Sequence, residues 1–112
     1  MALKSTLIGN TNTTVYTSTI SGTQLGNAIT CMVICNYSVS TAATLTLYAV
    51  PNNAGSVGTV GNANMIINAL PIPAGESVSL DQEKLVLDPN DTIVAVSSAA
   101  STLTITISTV PV

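Results

Sequence analysis

Charged side chains are the scarcest class of residue in this chain of 112. Lys, Arg, Asp and Glu together make up 6% of the sequence, there is no His, and the formal net charge is −3. Direct binding of nucleic acid is not expected, because it requires a basic surface that neutralises phosphates. Attraction to an anionic membrane surface needs a polybasic segment, which the sequence also lacks.

Long apolar runs are missing as well. The densest run, AITCMVIC at 28–35, has the length of a strand and falls well short of the roughly 18 residues of a membrane span. The stretch MALKSTLIGNTNTT at 1–14 contains one short apolar pair, so it does not resemble a secretory signal. We therefore expect no membrane association and no export signal.

The third shortage is in large aromatic side chains. The sequence has no Phe, no Trp and three Tyr, yet 46% of its residues are hydrophobic. Its core must then be built from Val, Ile, Leu and Ala, and the β-branched members of that set favour sheet over helix. The length suits one domain, 1–112, with a core that needs neither metal nor disulfides, and we interpret 1–12 as a candidate N-terminal arm.

Short apolar segments separated by turn residues recur along the whole chain. The strand candidates are 13–20, 28–37, 43–50, 65–72, 76–80, 84–87, 92–98 and 102–108. A glycine-containing loop is predicted at 51–64. This spacing, without any helical apolar period, predicts an all-β fold: an antiparallel β-sandwich of seven or eight strands with an immunoglobulin-like or jelly-roll topology. A small up-and-down barrel is the remaining alternative.

The two cysteines lie on one predicted strand. Cys31 and Cys35 are four residues apart, a separation of roughly 13 Å at the rise of a strand, so they cannot form a disulfide with each other. We expect both to be reduced, small apolar residues of the core. With no His to complete a metal site or a nucleophilic pair, a functional thiol is the weaker interpretation.

Six of the seven charged residues lie between 74 and 93. We interpret them as turn residues at one end of the sandwich, with a helical turn at 81–84 and a type I turn at 88–91. The alternative is a calcium site made of Asp81, Glu83, Asp88 and Asp91, but their spacing differs from that of a calcium-binding loop. We predict no catalytic residue, no metal and no cofactor, and thus no enzyme.

Two predicted strands are apolar on both faces. Met32 and Ile34 lie on the opposite side of their strand from Ile29, and Val94 and Val96 alternate with other apolar residues. A strand with two apolar faces is covered on both sides. We therefore predict these four residues, Met32, Ile34, Val94 and Val96, as interface candidates, and we expect a homo-oligomer or a larger assembly.

Several segments in order resemble a group of small bacteriophage virion proteins. The matching segments are MALKSTLIGNTNTTVYTSTI, ITCMVICNYS, TLTLYAVP, IPAGESVSLDQEKLVLDPNDTIVAVSSA and TLTITIS. The resemblance covers nearly the whole chain. It implies a structural virion protein that is commonly oligomeric, and it carries over no active site.

The resemblance favours a capsid decoration or cement protein, a component of the virion that is assembled in the host cytoplasm. Its implied partners are the major capsid protein or other virion structural proteins. The alternative is a tail or fibre component that takes part in host attachment, with 51–64 as a receptor-facing loop. A carbohydrate-binding or hydrolytic sandwich is a further alternative, which would require a cleft with carboxylates and aromatic residues.

Overall fold

Nine β-strands contain most of the residues that the computed structural model describes, which are 2–20, 22–80 and 84–112. The strands are β1 Ala2–Ile8, β2 Thr13–Thr17, β3 Asn27–Asn36, β4 Ala43–Val50, β5 Met65–Ile72, β6 Ser77–Leu80, β7 Leu85–Leu87, β8 Thr92–Ser97 and β9 Leu103–Pro111. A single 3₁₀ turn at Asn62–Asn64 precedes β5. Among these residues no helix has the length and apolarity to cross a bilayer.

The strands form two antiparallel sheets. Sheet 1 has the order β1-β9-β3, with β6 and β7 one after the other along the far side of β3, and sheet 2 has the order β2-β8-β4-β5. The pairings are nested: β1 pairs with β9, β2 with β8, β3 with β6 and β7, and β4 with β5. A chain paired in this way is one long hairpin rolled into two layers, which is a jelly roll.

The predicted antiparallel sandwich is therefore confirmed, with nine strands instead of seven or eight. The eight strand candidates all form strands, with ends that move by three residues or fewer. The additional strand is β1. Residues 2–8, which the sequence analysis assigns to a candidate arm over 1–12, are instead an edge strand of sheet 1, in continuous register with β9.

The core lies between the two sheets and is aliphatic, as the composition predicts. Every second residue of β9 and β4 points into it, and the same alternation places Thr on the other side of both strands. The largest fully buried side chains are Ile8, Val15, Ile29, Met32, Ile34, Leu45, Leu47, Ile72, Ile93, Leu103, Ile105 and Ile107. Burial of each of these side chains contributes about 1.5–3 kcal/mol, so this layer supplies most of the favourable free energy of folding.

A buried amide joins two segments of the chain at one end of the sandwich. Asn36, at the end of β3, is fully buried. Its Nδ2 donates to the carbonyl oxygens of Thr41 at 2.9 Å and Ile72 at 3.0 Å, and its Oδ1 accepts from the backbone N–H of Ser38 at 3.0 Å. The side chain therefore holds the β3–β4 connection against the end of β5.

Candidate functional site

The interface candidates of β3 are core residues. Met32 is 2% exposed and Ile34 is fully buried, and both point toward sheet 2. The sequence alternation places them on the face opposite Ile29, but they share its inward face because β3 contains a bulge between Ile29 and Cys31, where its register with β9 shifts. The extra residue allows Ile29 and Met32 to point inward together, so the alternation that the sequence suggests is reversed beyond this point.

The interface candidates of β8 lie on the outer face of sheet 2. Val94 is 3% exposed, and its cross-strand neighbours are Thr14 on β2 and Tyr48 on β4. Val96 is half-buried, opposite Thr46. Atoms of the chain itself therefore cover Val94, and of the four candidates Val96 alone keeps part of its surface accessible.

The outer face of sheet 1 carries no ionised side chain among the outward residues of β1, β9, β3 and β6. The strand registers arrange its outward residues in three rows across the strands. The rows are Leu7–Thr104–Cys35–Ser77, Ser5–Thr106–Val33–Ser79, and Leu3–Ser108–Cys31. We call this set of residues, together with Val86 on β7, the outer face of sheet 1.

Aliphatic side chains protrude from this face among small hydroxyl groups. Leu3 is 74% exposed, Leu7 51%, Val33 38% and Val86 68%. The hydroxyls are partly satisfied among themselves, since Ser5 Oγ lies 3.1 Å from Thr106 Oγ1. Such a face carries a small desolvation cost on contact with another protein, because no charge has to be removed from water.

A lysine marks the margin of the outer face. Lys84, just before β7, donates from Nζ to the carbonyl oxygen of Thr30 at 2.8 Å, at the bulge of β3. Thr30 in turn donates to the Oγ of Ser108 at 3.0 Å. This cation lies beside the three rows, so it leaves their centre around Val33 uncharged.

Both cysteines belong to the outer face and not to the core. Cys31 and Cys35 are free thiols of intermediate exposure, two residues to either side of Val33. Cys31 Sγ lies 3.7 Å from the Oγ of Ser79 on the neighbouring strand. The predicted core position of the cysteines is wrong for the same reason as that of Met32, namely the bulge of β3. The reactivity of the two thiols therefore indicates whether this face is accessible to solvent.

The carboxylate of Asp91 holds two loops together. Its Oδ1 accepts hydrogen bonds from the backbone N–H of Asn52 at 2.7 Å and from Asn52 Nδ2 at 3.0 Å, and its Oδ2 accepts from the backbone N–H of Asp88 at 2.9 Å. Asn90 Nδ2 also donates to the carbonyl oxygen of Gly55 at 2.7 Å. The 88–91 turn therefore anchors the loop after β4, which is a structural role for this carboxylate.

The calcium alternative rests on residues that the structure covers only in part. Asp81 and Glu83, like the predicted helical turn at 81–84, lie largely outside the described residues. Within 2–20, 22–80 and 84–112, no group of three or more potential ligands is close enough to hold a metal ion.

The 88–91 turn closes with a 3.1 Å hydrogen bond from the Asp91 N–H to the Asp88 carbonyl. Asn90 has a φ of 68°, which corresponds to a type II turn and not to the predicted type I.

An apolar cleft of about 440 Å³ opens on the side of the sandwich away from β1. It lies between the edge strand β5 of sheet 2 and the edge strands β6 and β7 of sheet 1, and it is lined by Met32, Ile66, Ile67, Leu70, Leu80 and Leu85. These six side chains include no hydrogen-bonding or titratable group. The lining can therefore accept apolar atoms but offers nothing to orient or activate a polar substrate.

Comparisons with known proteins identify no family. No family model and no curated protein matches the chain. A chain in a structure of infectious bursal disease virus, Gx strain, aligns with 97% of this chain at 14% sequence identity and a TM-score of 0.40. This chain spans 29% of the length of that viral chain. At this identity and TM-score the likeness assigns neither a family nor a function.

Proposed function

We propose that this chain is a structural protein of a bacteriophage virion, a capsid decoration or cement protein that attaches through the outer face of sheet 1. The observation that carries the proposal is the composition of this face, where exposed aliphatic side chains stand among hydroxyls with no charge in the three rows. A protein surface of this kind fits burial against another protein better than permanent exposure to water.

The size of the face indicates how strong a single contact can be. Four strands about 4.8 Å apart and roughly seven residues long give a plan area of roughly 450 Å². Specific interfaces bury about 800 Å² per partner, so one such face supports a weak contact on its own. Many copies on one particle would act together, and multivalent attachment raises the overall affinity without new contacts.

The sequence resemblance supports the phage assignment. The matching segments extend over nearly the whole chain and include the strands that build the outer face, among them ITCMVICNYS on β3 and TLTITIS on β9. The free thiols support assembly in a reducing compartment such as the host cytoplasm. The partners in this proposal are the major capsid protein or other structural proteins of the virion.

The first experiment locates the chain in the particle. Particles from a lysate that contains this chain are labelled with a gold-conjugated antibody against it and imaged. Gold over the whole head supports decoration of the capsid, whereas gold confined to the tail favours the fibre alternative. Purified particles without the chain would contradict a structural role in the virion.

The second experiment tests the face itself. Cys31 and Cys35 should react with a maleimide in the isolated chain and be protected in the particle, because both thiols lie on the proposed contact surface.

A substitution on the same face gives an independent measurement. Val33→Lys should prevent attachment to particles produced without the chain, since it places a charge at the centre of the face. The matched control is Val39→Lys, at a position 95% exposed outside the strands, which should attach normally. Equal attachment of both variants would reject this face as the contact surface.

A further inference from the structure

Within 2–20, 22–80 and 84–112, three of the four strand edges of the sandwich are protected against pairing with another strand. β2 is five residues long and has a register shift between Thr14 and Tyr16. β5 has two register shifts and contains Pro71, and the edge beyond β3 is divided into the short strands β6 and β7. Short, bulged, proline-containing and broken edges are the usual means by which sheets avoid edge-to-edge association.

β1 has none of these protections. Seven consecutive residues pair with β9 without any register shift, and within the described part of the chain β9 is its only strand partner. Lys4, a charged residue on the inward side of β1, is the sole feature of this strand that disfavours pairing with another strand. A regular seven-residue edge with unused backbone groups is a template for an added strand.

The pairing of β9 shows which backbone groups of β1 are unused. The Ser108 carbonyl accepts a hydrogen bond from Thr30 Oγ1 on β3. The Thr102 carbonyl accepts one from the Tyr37 N–H, beyond the end of β3. The even-numbered residues of β9 therefore direct their backbone groups toward β3. The odd-numbered residues of β9 then direct their backbone N–H and C=O groups toward β1. Because Lys4 and Thr6 face odd-numbered residues of β9, the backbone N–H and C=O groups of Leu3, Ser5 and Leu7 point away from the sheet.

The free edge is complementary to itself. If two copies of β1 pair antiparallel about a two-fold axis at Ser5, Ser5 faces Ser5 of the other copy and Leu3 faces Leu7. The exposed leucines, 74% and 51% accessible, then meet on the outer face as two cross-strand pairs. The same register places Lys4 opposite Thr6, so the two lysines do not face each other directly.

We propose that the partner of this edge is a second copy of the chain, paired through antiparallel β1 strands centred on Ser5. The arrangement forms about six backbone hydrogen bonds between the copies and joins the two copies of sheet 1 into one continuous sheet. Its buried area is below that of a standard interface, so the dimer dissociates in the micromolar to millimolar range, about 1 µM to 1 mM. The inference does not depend on the proposed virion role.

The test compares two substitutions at the centre of the edge. Ser5→Pro removes an outward N–H that the chain itself does not use, whereas Ser5→Ala keeps that N–H and loses the same hydroxyl. Sedimentation velocity from about 10 µM to 1 mM should show dimer formation for the natural sequence and for Ser5→Ala, and a monomer for Ser5→Pro. Circular dichroism and thermal unfolding establish that all three chains are folded.

Amide hydrogen exchange on the natural sequence provides a second measurement that does not depend on a variant. The amides of Leu3, Ser5 and Leu7 should gain protection as the concentration rises, while those of the bulged edge β5 should not change. A chain that is monomeric at about 1 mM would overturn the proposal, as would a dimer that Ser5→Pro leaves intact. Protection of these three amides only in the particle would also overturn it, since the added strand would then belong to another virion protein. None of these outcomes affects the Val33→Lys attachment assay.

Discussion

Replacement of Asn36 by Ala should destabilise the fold more than any surface substitution, although the residue is polar. The side chain is fully buried and makes three hydrogen bonds, to Thr41, Ile72 and Ser38. At roughly 1 kcal/mol for each hydrogen bond lost in the interior, the free energy of unfolding should fall by about 3 kcal/mol. For a chain of this size that corresponds to a decrease in Tm of roughly 10–15 °C.

The assay is urea unfolding followed by circular dichroism, with ΔΔG taken from the shift in midpoint at constant m-value. Asn10→Ala, at an exposed loop position, is the control and should stay within about 0.5 kcal/mol of the natural sequence. A loss below about 1 kcal/mol for Asn36→Ala would refute the reasoning, because the bonds to the loops would then contribute nothing.

Asn36→Asp adds a pH dependence to the same test. The introduced carboxyl keeps the acceptor for Ser38 but turns a charged oxygen toward the carbonyls of Thr41 and Ile72. Burial and those two carbonyls raise the pKa of the carboxyl in the folded state above its unfolded value of about 3.9. The folded state then binds the proton more tightly, so this variant should be most stable below about pH 4 and lose stability as the pH rises through the folded-state pKa.

Three further substitutions test the core, the loop anchor and a close backbone approach. Leu47→Ala should cost about 2–5 kcal/mol in urea unfolding because it opens a cavity between the sheets, whereas Val39→Ala at a 95% exposed position should cost under about 0.5 kcal/mol. Asp91→Ala should increase proteolytic cleavage within 51–61, since it removes the acceptor for Asn52, and unchanged cleavage would contradict the anchoring role. Gly26→Ala should lower Tm, because a Cβ there would overlap the backbone carbonyl of Leu87, and an unchanged Tm would contradict this contact.

Strands that are apolar on one face and hydroxylated on the other could be predicted from the sequence. β4 and β9 alternate Leu or Ile with Thr, and the structure confirms both their bounds within three residues and their inward residues. The period of two is encoded in these strands themselves. Which strand pairs with which is decided by contacts far apart in the sequence, so the nested order of the jelly roll could not be predicted from the pattern.

The orientation of β3 could not be predicted, for a local reason. Both of its faces carry aliphatic side chains, so the alternation does not indicate which one is buried, and the bulge after Ile29 changes the phase within the strand. A buried amide at Asn36 makes the inner face look polar at its end. β1 could not be predicted because Lys4 interrupts the apolar pattern on its inner side, where an exposed edge position tolerates a charge.

The nested pairing also has a consequence for synthesis of the chain. A central strand of sheet 1 is β9, which is translated after the other eight strands, and it separates β1 from β3 in the finished sheet. Neither neighbour can take its final place until residues 103–111 have left the ribosome. Completion of sheet 1 is therefore postponed until β9 is available, and contacts of such large sequence separation close slowly. A nascent chain whose β9 is still inside the ribosome cannot present a finished sheet 1, so recruitment into any assembly through that sheet has to wait for this strand.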